Sequence, residues 1–204
     1  VWDGSFSEIR EIDVGSWFDP QFSDERVPTL AEVLELARDK AHVVIELKYY
    51  GHDQQLEQRV IDIVEQLDMV NDVAIMSLKY EGIQKVRALR PDWPIGLLSA
   101  TAIGNLASLD VDFLAVATGL ATPGFVRRSQ EQGKQVFVWT VNDAESLSRM
   151  MSLGVDGIIT DEPALAREVI NERADLNPAE RLIMHTAVLF GRPQPARQYR
   201  DESP

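Results

Sequence analysis

Two charged side chains close an otherwise apolar run, Val43-Val44-Ile45-Glu46-Leu47-Lys48. The run is short and rich in β-branched residues, which predicts a strand. Side chains alternate along a strand, so Glu46 and Lys48 share a face with Val44, while Val43, Ile45 and Leu47 face the other way. A carboxylate and an ammonium therefore point together from the strand's C-terminal end. Burying either one unpaired would be costly. The pair can act on a ligand, it can neutralise itself, or Lys48 can form a Schiff base with a carbonyl substrate under the influence of Glu46; the residues alone leave all of these open. Val138-Trp139-Thr140-Val141-Asn142 ends another strand-like run with a large aromatic and two hydrogen-bonding groups. Trp139 can wall a pocket or fill a core, and taken alone it favours core filling. Ser77 and Lys79 share a face at a third run's end, where spacing alone reads them as structural or solvated. Asp161, after Thr160, is read as a cap for the helix that follows. His42, His52 and His185 fall before a strand, in a loop and in the tail, without metal-ligand spacing.

Groups placed at strand ends need strands that alternate with helices. Thr29 caps a helix with Glu32 completing a capping box, and Leu30, Val33, Leu34 and Ala37 form one apolar stripe. Leu56, Val60, Ile63, Val64 and Leu67 form a second stripe, Val73 to Leu78 reads as a strand, and Ile83 to Leu89 as a short helix ended by Pro91. Ile95 to Leu98 and Asp112 to Ala117 are strands joined by a weakly helical link. Thr122-Pro123 starts a helix that Gly133 stops; Gln135 to Val141 is a strand, and Asn142 to Leu153 a helix ended by Gly154. Gly157 to Thr160 is the sixth strand, and Pro163 opens the last helix. Near-continuous apolar strands separated by helices predict an α/β fold with a parallel sheet covered by helices. An open doubly wound sheet and a (β/α) barrel both fit. The sequence has neither GxGxxG nor GxxxxGK[ST], and its length leaves room for two further barrel units ahead of Val1, which puts the barrel ahead.

The composition fits a soluble globular chain: 204 residues, 45% hydrophobic and 26% charged, with no cysteine. That excludes a disulfide scaffold and any cysteine-ligated metal. A formal net charge of −13 argues against a nucleic-acid-binding surface. Residues 177–204 carry Arg181, Arg192, Arg197 and Arg200 against Glu180, Asp201 and Glu202, a net of +1 in an otherwise acidic chain. This shift divides the sequence into a main domain, 1–176, and an appendage, 177–204. Asn177 and Pro178 start a helix toward Gly191 whose apolar face is expected to dock on the domain or touch a membrane surface. No apolar run within the 204 residues is long enough to span a bilayer and the stretch from Val1 carries no basic and apolar signal pattern, which leaves a cytoplasmic or membrane-associated location open.

In order and spacing, five stretches resemble the glycerophosphodiester phosphodiesterase family: Glu11 to Phe18, Val27 to Leu34, Ile45-Glu46-Leu47-Lys48, Val138 to Asn142, and Gly154 to Asp161. The resemblance implies a TIM (β/α)8 barrel of the phospholipase-C-like phosphodiesterase type, truncated to about six βα units, with a C-terminal helix. It implies hydrolysis of glycerophosphodiesters to glycerol 3-phosphate and an alcohol with a divalent metal, Mg2+ or Ca2+. Glu46 is then a metal ligand, Lys48 lies by the phosphate and Trp139 lines the substrate pocket; Ser77, at the end of the next strand and outside that mapping, is a further substrate-binding candidate. The chemistry suits them, because hard cations take carboxylate oxygens and a phosphodiester needs positive charge on its non-bridging oxygens.

The family's H-R-G, E-x-D and H-D motifs have no counterpart in the chain and would precede Val1. The expectation is therefore an enzyme as the parent and an inactive fragment, with no catalytic histidine among the three present. The competing expectations are the Schiff-base lyase using Lys48 and a degenerate barrel kept as a binding module.

Overall fold

In the computed structural model, residues 4–50, 55–101, 104–177 and 179–180 are described. The chain forms two compact units, Val1–Ile95 and Gly96–Pro204.

The first unit opens with α1 (Phe6–Arg10), where Ser5 and Glu8 form a capping box. A 3-10 turn at Pro20–Phe22 follows, started by the Asp19 carboxylate, which accepts from the Gln21 N–H. Neither was predicted, since this stretch has no helical or strand period. Gly15 fits directly against the Phe22 carbonyl, where any Cβ would overlap it. The Asp13 carboxylate accepts from the Gly15 and Ser16 N–H groups and the Ser16 hydroxyl. The Ser16 hydroxyl foremost, with those amides, holds the Asp13 carboxyl down to about 2. α2 (Leu30–Ala37) has the predicted Thr29–Glu32 capping box, and Arg10 bonds Glu32 at 2.8 Å.

β1 (Val43–Glu46), α3 (Leu56–Gln66), β2 (Val73–Ser77) and α4 (Tyr80–Leu89) complete the unit. β1 and β2 are parallel with Val43 opposite Val73, and Leu47 N–H extends the ladder to the Met76 carbonyl at 2.8 Å. Ile45 and Leu47 point into the core with Leu34, Ile61, Val64, Ile75 and Ile83. Each such aliphatic side chain withdrawn from water stabilises the unit by ~1.5–3 kcal/mol. Val44, on the opposite face, is 44% exposed, so alternation along β1 runs as the sequence predicts.

In the second unit β3 (Ile95–Ser99), β4 (Phe113–Ala117), β5 (Gln135–Trp139) and β6 (Gly157–Ile158) are parallel neighbours in chain order. A 3-10 turn, Leu106–Ser108, fills the weakly helical link. α5 (Pro123–Glu131), α6 (Ala144–Leu153) and α7 (Pro163–Asp175) cover the sheet. Gly154, at φ 74°, ends α6 in the left-handed conformation that glycine adopts without steric penalty. A doubly wound sheet reverses its strand order where the chain crosses to the other side. The order here is sequential in each unit, which is the strand order of a (β/α) TIM-type barrel and not of a doubly wound sheet.

Four strands stop earlier than predicted, at Glu46, Ser77, Trp139 and Ile158. Beyond the last two, the Val141 N–H still donates to the Ile159 carbonyl at 3.1 Å, and the helix expected from Asn142 starts at Ala144, capped by Asp143. Asp161 is not the cap of α7: that position is Glu162, and the Asp161 carboxylate instead accepts from Asn142. At the end of the described chain the Asn177 side chain accepts from the Ala179 and Glu180 N–H groups. The remainder of the expected tail helix, with its docking or membrane contact, lies outside the described residues. So do His52 and His185.

Candidate active site

At the end of β1 the two charges emerge on one side, with Lys48 Nζ 3.9 Å from Glu46 Oε2. Lys48 is 53% exposed and Glu46 24% exposed, so this is a loose, wetted pair whose Coulomb gain is small. A Schiff-base lysine needs desolvation or a second cation to make its amine nucleophilic. Lys48 stands in water beside a carboxylate, which disfavours that chemistry.

Other groups fix this strand end. Ser77, at the end of β2, is buried; its hydroxyl donates to the Leu47 carbonyl at 2.7 Å and accepts from the Lys79 N–H at 3.1 Å. Its proton is committed to the backbone between Glu46 and Lys48. Tyr49, next in sequence, donates to Glu57 Oε1 at 3.0 Å from over Gly82, where an added Cβ would strike the phenol ring. Burial first, and the Glu57 hydrogen bond second, push the Tyr49 hydroxyl far above its ordinary value, so it stays a donor. Glu57 is buried at the start of α3 and pairs with Lys85 at 3.2 Å. Lys79 and Lys85 lie 5.7 and 5.9 Å from the centre of the Tyr49 ring. Sequence reading missed this cluster, because its members come from a loop and two helices; a carboxylate at α3's N-terminal turn was the only local sign.

In the second unit, Trp139 ends β5 half-buried, and its indole N–H donates to the Ala115 carbonyl at 3.0 Å. With that donor used, its ring can offer a ligand only stacking or apolar contact. Beyond it, Asn142 donates to Asp161 Oδ2 at 2.7 Å and accepts from Thr160 Oγ1 at 3.0 Å and the Asp161 N–H at 2.9 Å. This amide joins the loop after β5 to the loop after β6. His42 is 78% exposed and lies 3.6 Å from Asp72. Among the described residues no group of three or more His, Asp or Glu is placed to hold a metal ion, and no helix is long and apolar enough to cross a membrane.

The sequence pattern of the Glycerophosphoryl diester phosphodiesterase family matches residues 1–165. A glycerophosphodiester phosphodiesterase of Caldanaerobacter subterraneus subsp. tengcongensis is 32% identical over 173 residues, which are 80% of this chain and 70% of that protein. The crystal structure of the glycerophosphodiester phosphodiesterase from Agrobacterium tumefaciens C58 is similar with a TM-score of 0.67 at 28% identity, covering 78% of this chain and 69% of that one. An Oleispira antarctica phosphodiesterase, in complex with the product sn-glycerol-3-phosphate, shares the fold with a TM-score of 0.76 at 21% identity, over 84% and 72% of the two chains.

Proposed function

The chain belongs to the Glycerophosphoryl diester phosphodiesterase family, and from that membership we propose that the charged end of β1 serves hydrolysis of a glycerophosphodiester to glycerol 3-phosphate and an alcohol. The observation that carries this reading is the Glu46–Lys48 pair, side by side at a strand's C-terminal end within the matched residues. The product named for the Oleispira enzyme supports the substrate class. Lys48, on a flexible stem and only loosely paired, can turn its ammonium to a non-bridging phosphate oxygen. There it stabilises the charge that gathers in the transition state. Ser77 acts on this site by holding the Leu47 carbonyl and so the spacing of the two charges. Trp139 serves the substrate through its ring face, its N–H being engaged.

Glu46 suits a divalent metal, Mg2+ or Ca2+, as one hard anionic ligand. Bound there, such a metal supplies Lewis-acid stabilisation of a phosphoryl oxygen. One carboxylate is far from the about six to eight oxygens these ions take, and the described residues provide no fuller set. The reading therefore has the 204-residue chain alone binding metal weakly and releasing little or no glycerol 3-phosphate. Phosphorus NMR on glycerophosphocholine and glycerophosphoethanolamine, with Mg2+ or Ca2+, tests both parts. The natural protein should release glycerol 3-phosphate, and no release under any metal would overturn the functional reading. Rapid release by the 204-residue chain would overturn the claim that it lacks essential groups.

A further inference from the structure

Lys48 stands between two anchors, and both lie on the covered side of β1. Leu47 is buried, Lys48 exposed and Tyr49 half-buried, so the alternation of β1 runs on past its last residue. Before Lys48, the Ser77 hydroxyl holds the Leu47 carbonyl at 2.7 Å. After it, the Tyr49 hydroxyl donates to Glu57 Oε1 at 3.0 Å. Lys79 joins the two anchors: its N–H donates to Ser77 Oγ at 3.1 Å, and its ammonium lies 5.7 Å from the centre of the Tyr49 ring. Among the described residues the Lys48 ammonium has one partner, Glu46 at 3.9 Å. Its backbone is held on both sides while its side chain is left to turn.

The Tyr49 anchor is built on a group that is costly to bury. The Glu57 carboxylate, 4% exposed in the first turn of α3, takes the Tyr49 hydroxyl and, on the same Oε1, the Lys85 ammonium at 3.2 Å. Taking a carboxylate out of water costs about as much as a nearby ammonium returns, and apolar residues of similar volume often serve such a position equally well. Stability therefore does not account for the cluster. Direction does: an apolar seat holds a ring, whereas a charged acceptor also fixes where its hydroxyl lies. Gly82 in α4 closes the seat from the other side, where a Cβ would overlap the phenol oxygen.

We propose that Tyr49 is a positioning residue for Lys48. Tied to Glu57 and seated on Gly82, it fixes the chain on the far side of Lys48 as Ser77 fixes it on the near side. The ammonium then reaches for a phosphate oxygen from one starting point, which lowers the orientational cost of the contact. This rests on the phosphodiesterase reading for what Lys48 binds, and on the contacts of Tyr49 for what holds it. Glu46 does not depend on Tyr49, because it lies in the β1–β2 ladder opposite Met76.

The test is a double-mutant cycle in the natural protein, with release of glycerol 3-phosphate followed by phosphorus NMR. Tyr49→Phe keeps the ring and removes the anchor; it should raise KM about two- to fivefold, within what one net hydrogen bond carries. The metal concentration that gives half-maximal rate should stay where it is, since Glu46 keeps its place. In a Lys48→Met background, Tyr49→Phe should raise KM no further, because a residue acting through Lys48 has nothing left to place. A wild-type KM in Tyr49→Phe, an equal rise in the Lys48→Met background, or a parallel shift in metal requirement would each overturn the proposal. If Tyr49→Phe does not fold, Gly82→Ala carries the same expectation: alanine suits a helix interior better than glycine, yet its methyl must push the phenol off its seat. A second measurement in the same protein needs no turnover. The order parameter of the Lys48 backbone amide should fall from about 0.85 toward about 0.6 in Tyr49→Phe, while those of Val43 to Ile45 hold. An unchanged Lys48 amide would also overturn the proposal. Failure of the phosphodiesterase reading looks different: the Lys48 amide would loosen, yet the natural protein would release no glycerol 3-phosphate.

Discussion

At the end of β1, Lys48 and Glu46 stand 3.9 Å apart, both partly exposed. At the end of β5, the Asn142 amide makes three hydrogen bonds of 2.7 to 3.0 Å to Asp161 and Thr160. Both are polar groups just past an apolar strand, and the sequence offers them in similar dress. Among the described residues the first pair has only its loose mutual contact, so the unit's stability depends little on it and a ligand can recruit it. The Asn142 amide has spent its hydrogen-bonding capacity joining two loops, so replacing it disturbs the fold before it disturbs any ligand. Saturation separates a group available for chemistry from one that fixes the backbone, and residue type alone does not.

The sharpest way to break this contrast is to neutralise the β1 end. Glu46→Gln and Lys48→Met should each lower phosphodiesterase turnover of the natural protein by at least about 10²-fold, with excess divalent metal rescuing Glu46→Gln only in part. Unfolding midpoints of both variants should stay near wild type, because an exposed, loosely paired charge contributes ~0–1 kcal/mol. Full activity in both variants would remove β1 from the site. Asn142→Ala should behave in the opposite way, destabilising by about 1–3 kcal/mol in urea titrations as its partners lose their bonds; an unchanged midpoint would mean that the two loops hold without it. Ser77→Ala sits between the two, costing about 1–2 kcal/mol for an orphaned carbonyl and amide and raising KM through a displaced Lys48. A stability loss with KM unchanged would confine Ser77 to the fold.

The smallest effect is expected at Tyr49. Its folded pKa is raised by burial and by Glu57, so its stabilising contribution is complete below the ordinary phenol pKa, about 10, and is lost as pH rises above that value. The stability gap between wild type and Tyr49→Phe should be constant through neutral pH and narrow on the alkaline side. A gap independent of pH up to the alkaline limit would show that the hydroxyl is not held as a donor.

What could be read in the sequence was local or periodic. The shared face of Glu46 and Lys48 follows from the two-residue strand repeat, the start of α2 from Thr29 and Glu32, and the end of α6 from Gly154. What escaped depends on contacts between residues far apart in sequence. Asp161 reads as a cap until Asn142, on another loop, claims it. Ser77 and Lys79 share a predicted face, but nothing near them in sequence signals the tie to Leu47. Residues 4–29 have no period because their order comes from turns and carboxylate–amide bonds, so the exposure of Trp17 was legible only in three dimensions.

The registers have a consequence for how the protein is made. Val43 pairs with Val73, Phe113 with Gln135, and Phe137 with Gly157, so each strand meets a partner that left the ribosome shortly before it. Loops this short close at little entropic cost, and the helix between two strands can form while the second is still being synthesised. Each unit can therefore assemble in the direction of translation, one βα step at a time, with each newly finished edge waiting only for the next few dozen residues.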